Sequence, residues 1–164
     1  RYRVLAAGYA LESEAKEVKD RLVSEGMDCT VYAIEAPGAT FRVSGEEGQL
    51  AQVESGFSAL YQAQEAMTQA AIAFDRDGQN VSDGQAAVQQ IQQDLEQQMA
   101  ALAAYGDSAP AIASLLACKG EFTAVLSPLV QSGASSHTEF AAALKYAQLA
   151  MTHSYEKMVF ALTA

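Results

Sequence analysis

Residues 44–76 read SGEEGQLAQVESGFSALYQAQEAMTQAAIAFDR, and their apolar side chains recur at alternating three- and four-residue steps: Leu50, Val53, Phe57, Leu60, Met67, Ala71 and Phe74. Only Gln64 breaks the series. Steps of three and four keep one stripe on one side of a helix, so the stretch predicts a long helix with a single packing seam. Ser44 followed by Glu47 has the spacing of a capping box, which sets the expected helix start. The seam continues past the point where a small α/β module would return to its sheet. The helix is therefore expected to end a first module and to enter a second.

Downstream, Asp75–Gly84 is dense in turn formers and separates this helix from the next. A helix over 82–104 turns Val88, Ile91, Leu95, Met99 and Leu102 inward and has a glutamine-rich outer face. Tyr105–Pro110 is a break, with Pro110 at a helix start, where its missing N–H costs little. The next helix, 109–130, carries Ile112, Leu115, Leu116, Phe122, Val125 and Leu126, and Pro128 should kink or end it. Gln131–Ser135 is a loop. Ser136 and Glu139 form a second capping box, opening a helix over 136–162 whose inward residues are Phe140, Leu144, Ala147, Met151, Tyr155, Met158 and Leu162. Four helices with short loops imply an antiparallel bundle, and the many alanines allow close approach of the helix axes.

Upstream, the periodicity changes. Residues 2–9 are rich in β-branched and aromatic types and reach Gly8-Tyr9, which suits a strand. Ala15, Val18, Leu22 and Val23 recur at helical spacing from Ser13 to Glu25, and Gly26 stops that helix. Residues 28–35 alternate as a second strand, Pro37-Gly38 marks a turn, and Thr40–Val43 makes a third strand. The expected class is α+β: a small antiparallel sheet in β-α-β-β-α order, followed by an antiparallel helical bundle. The expected domains are 1–76, an α/β module ending in the long helix, and 77–164, the bundle that packs on it.

Ten basic against twenty acidic residues give a net charge of −10, which repels a phosphate backbone and excludes nucleic acid as an expected partner. Half the chain is apolar, yet no uninterrupted apolar run reaches the length of about eighteen residues that a membrane span needs. Cys29 and Cys118 fit no metal or redox spacing and read as two buried, reduced thiols.

The N-terminal pattern resembles the sporulation-related (SPOR) domain family. The matching residues are Tyr2-Arg3-Val4 with Tyr9, the charged helix Glu14-Ala15-Lys16-Glu17-Val18-Lys19-Asp20-Arg21-Leu22, Gly26 with the strand after it, and Phe41-Arg42-Val43 before Gln52-Val53. With the helical tail, the arrangement is similar to the stage II sporulation protein B type. The resemblance implies a sheet face that binds peptidoglycan glycan strands stripped of stem peptides. It also implies a place on the extracytoplasmic face of a bacterial membrane, through an anchor outside this sequence. Tyr9 and Tyr32 are then the expected glycan-stacking residues. The family's polar Gln, Gly and Ser of the first strand correspond to Leu5, Ala7 and Gly8, so weak or absent glycan binding is expected. The expected partner becomes a septal envelope protein or a second copy of the chain.

Other motifs point to no chemistry. Asp75-x-Asp77-x-Gln79 begins like a calcium loop but has Asn80 where glycine is needed and Ala86 where the bidentate glutamate belongs. Ser13-x-x-Lys16 has penicillin-binding spacing but no companion motif, and Ser13 suits a helix cap. His153 and Glu156 stand one turn apart in the reverse order of a metal-bundle motif, and His137 sits beside a helix start. No nucleophile–base pair assembles. The reading is therefore non-catalytic, without cofactor or metal: an envelope-binding module or, in the alternative, a purely structural helical association module.

Overall fold

The structure, a computed structural model, describes residues 12–33, 42–45, 47–76, 78–105, 109–131, 133 and 136–163. Its elements are α1 (Glu12–Ser24), α2 (Glu47–Arg76), α3 (Val81–Ala103), α4 (Pro110–Val130) and α5 (His137–Thr163). Two compact units form, residues 1–38 and 39–164, and α2 lies wholly in the second.

The α+β expectation is overturned: the chain is a helical bundle, and no strand or sheet is present among the described residues. The expected strand over 2–9, with Tyr9, falls outside the described residues, as do 34–35 and 40–41 of the other two strands. Residues 28–33 form neither helix nor strand, with Cys29 and Val31 half-buried and Thr30 and Tyr32 exposed. That alternation of exposure is real, but it requires only that one side of the segment be covered. A sheet also needs a neighbouring strand to accept its hydrogen bonds. Instead, the Cys29 thiol lies 3.7 Å from the Lys19 carbonyl oxygen of α1. Val43, assigned to the third strand, packs half-buried against the bundle core.

α1 ends as its sequence requires. Gly26 takes φ +85°, its N–H donates to the Val23 carbonyl, and the Met27 N–H donates to the Leu22 carbonyl, a Schellman ending. Its start differs from expectation: Ser13 lies inside the first turn rather than at the cap, and Lys16 pairs with Glu12 at 2.7 Å.

In the second unit each helix packs on its chain neighbours, α5 closes back onto α2, and α2 also meets α4 across the diagonal. Short connections make consecutive helices antiparallel. The break before α3 is brief: Gly78 takes φ +61° and the Asn80 side chain caps α3 by accepting from the Asp83 N–H at 3.0 Å. Ser136 caps α5 in the same way, accepting from the Glu139 N–H at 3.3 Å. Pro110 occupies the first turn of α4. Pro128 does not end α4, which continues to Val130, because a proline in the last turn removes only one hydrogen bond.

Most residues of the expected stripes form the core, including Leu60, Met67, Phe74, Val88, Leu95, Met99, Ile112, Leu115, Phe122, Phe140, Leu144 and Met151, all buried, whereas Leu50, Phe57, Leu116, Val125, Tyr155 and Leu162 are half-buried. At one end Phe74 meets Phe140 edge-on at 5.1 Å, and the His137 ring stacks on Phe74 at 4.3 Å. Gly84 of α3 makes room for this aromatic group, since a Cβ there would lie 2.5 Å from Phe140 and 2.9 Å from Phe74. Between α2 and α5, Gln148 donates to Thr68 at 3.3 Å, and both are buried. Lys145 ties α5 to Asp75 at the end of α2, and Lys119 ties α4 to Glu96 of α3, each at 2.5 Å.

Candidate functional site

α5 has two stripes rather than one. At about 100° per residue, Phe140, Leu144, Ala147, Met151 and Met158 fall on the buried side. Ala142, Tyr146, Leu149, His153, Glu156 and Phe160 fall opposite, again at alternating four- and three-residue steps. Polar residues normally fill the outer face of a bundle helix. Here Tyr146 is 70% exposed and Phe160 55% exposed, with half-buried Leu149 between them. His153 is exposed and Glu156 half-buried, at the middle of the stripe.

Beside it, Glu121 of α4 is held below the usual carboxylate range, first by a hydrogen bond with Ser154, against slight burial, and then by the charges of Lys157 and His153. The Lys157 ammonium lies 3.5 Å from that carboxylate. The cations that flank the stripe are thus paired within the chain, Lys157 with Glu121 and Lys145 with Asp75.

An open groove of about 610 Å³ runs between α3 and α4 and is lined by Gln89, Gln92, Gln93, Glu96 and Gln97 with Ser127 opposite. Two of its polar groups have partners: Gln92 donates to Ser127 at 3.3 Å, and Glu96 pairs with Lys119 of α4. Its lining, rich in glutamine, offers amide hydrogen bonding.

Of the two residues expected to stack on sugars, Tyr9 lies outside the described residues, and Tyr32 is 71% exposed on the segment after α1. The sheet that was to align them is not present among the described residues. No group of three His, Cys, Asp or Glu side chains able to hold a metal ion occurs among those residues either. Asp75, first residue of the calcium-like motif, is occupied by Lys145. Cys118 is buried, whereas Cys29, expected to be buried, is half-exposed; both are free thiols. Burial pushes the Cys118 thiol up to about 12, helped by the nearby Glu121 charge.

α4 is long and apolar enough by composition to cross a membrane, but Ile112, Leu115, Phe122 and Leu126 on it belong to the bundle core, and Lys119 and Glu121 pair with neighbouring helices. Sequence reasoning passed over Tyr146, Leu149 and Phe160, although their spacing was readable. The chain matches no protein-family model, no curated protein and no solved structure.

Proposed function

We propose that this chain is a non-catalytic association module: a helical bundle that holds the outer stripe of α5 out for another polypeptide. The observation that carries this reading is the apolar series Tyr146, Leu149 and Phe160, directly opposite the buried stripe of the same helix. The exposed Tyr146 and Phe160 rings add nothing to the bundle's own core, and aromatics of this kind are enriched where proteins meet. The setting inferred from the N-terminal resemblance is the cell envelope at a division or sporulation septum.

The test is the double substitution Tyr146→Glu with Phe160→Glu. The variant should keep its helix content, with stability within about 0.5 kcal/mol of the parent as for other exposed sites, and lose binding of a hydrophobic dye. Unfolding of the variant would make the stripe part of the fold and would sink the reading.

A second reading, contact with peptidoglycan glycan strands, is favoured by the exposure of Tyr32. Co-sedimentation with amidase-treated peptidoglycan tests it. Saturable binding that Tyr32→Ala abolishes would establish that contact, and no binding by the parent chain would remove it.

A further inference from the structure

We infer that the outer stripe of α5 pairs with the same stripe of a second copy, antiparallel, in a register that sets Leu149 against Phe160 and His153 against Glu156. This rests on the reading of that stripe as an association face. The argument is self-complementarity. In a two-fold interface residue i meets j and j meets i, so one stripe must supply both halves of every contact.

The stripe meets that requirement in one register. With the helices antiparallel and centred between Ser154 and Tyr155, Tyr146 faces Thr163, Leu149 faces Phe160, and His153 faces Glu156, each contact made twice. Leu149 and Phe160 meet as apolar partners, the basic ring meets the acid, and Tyr146 reaches the Thr163 side chain at the end of the stripe. Sliding one copy by a heptad sets Leu149 on His153 and Tyr146 on Glu156, or else Glu156 on Phe160. A parallel pairing sets Glu156 on Glu156 and His153 on His153, and like-charged pairs are unfavourable there. Antiparallel helices also place opposite dipole ends together.

The surroundings agree. His153 has Glu121 of α4 and Lys157 of its own helix nearby, and Lys157 and Lys145 are each paired within the chain, so neither is left to repel its copy across the two-fold axis. From Tyr146 to Thr163 the contact is roughly 27 Å long at about 1.5 Å per residue. One helix face per partner is a small interface, which sets the expected strength near micromolar.

Analytical ultracentrifugation of the whole chain tests this. The parent should dimerise reversibly with a dissociation constant in the range of about 1–100 µM, and Phe160→Ala should weaken it roughly tenfold or more. His153→Glu sets a new carboxylate on Glu156 twice, and Glu156→Lys sets a new ammonium on His153 twice, so each variant alone should be monomeric. Mixed in equal amounts, the two should dimerise, because both central layers then join opposite charges. Thermal melts confirm that each variant is folded, and Leu149→Ala replaces any that is not. A parent that stays monomeric to about 100 µM, or a mixture no more associated than its components, overturns the pairing. In either case a folded Tyr146→Glu/Phe160→Glu variant that has lost dye binding leaves the broader association reading standing.

Discussion

Two glycines on neighbouring helices have opposite roles, and the difference is steric. Gly84 sits under the rings of Phe74 and Phe140, where a methyl group has no room, whereas Gly120 of α4 is exposed with nothing within 4 Å of its would-be Cβ. Gly120→Ala should therefore raise unfolding stability by about 0.5–1 kcal/mol through lower chain entropy and better helix propensity. Gly84→Ala gains the same propensity but forces two buried rings apart, and should lower stability by about 1–3 kcal/mol. Urea unfolding of both variants checks the pair, and equal shifts would contradict the packing. Cys118 supplies a pH test. Its thiol has an ordinary value of 9.0 when unfolded and about 12 when folded. The folded state holds the proton more tightly, so this contribution is fully present below pH 9 and is lost as pH rises toward and through 12. Cys118→Ala should flatten the alkaline fall in melting temperature.

At the scale of elements, Gln64 interrupts the seam of α2, and its Oε1 is buried with no hydrogen-bond partner among the described residues. Its backbone carbonyl accepts from the Thr68 hydroxyl at 3.1 Å, and Thr68 in turn accepts from Gln148. Gln64→Met should raise stability by about 1–2 kcal/mol by removing an unsatisfied acceptor, as read by chemical denaturation; a loss would mean that the amide is satisfied in solution. The helices were legible because a period near 3.5 over about twenty or more residues fits no other element. The residues quoted for the inward stripe of α3 are all buried, as are most of those for α5. The sheet was misread for the converse reason: a few alternating residues such as 28–33 show only which side is covered, and pairing into a sheet depends on segments distant in sequence. The outer stripe of α5 escaped notice because a stronger apolar stripe on the same helix already accounted for its hydrophobicity. Gln148, polar yet buried, belongs to the inner side only through Thr68, a partner 80 positions away.

For the whole molecule, a charge placed in the middle of the bundle is the severest test of the fold. Leu95 and Met151 are 1% and 0% exposed, so Leu95→Asp or Met151→Asp buries a carboxylate without a partner, at a cost of several kcal/mol. That is comparable to the total stability of a small domain, and both variants should be unfolded at about 25 °C by circular dichroism. Cys118 then gives the native state a slow reporter. A thiol enclosed in the core reacts with a disulfide reagent only when the helices around it part, so its modification rate counts openings rather than accessible surface. Under conditions where closing outruns reaction, that rate divided by the rate of a free thiol is the equilibrium constant for opening. Any partner that clasps the closed bundle should slow the reaction in proportion to its occupancy, while half-exposed Cys29 in the other unit serves as the internal reference.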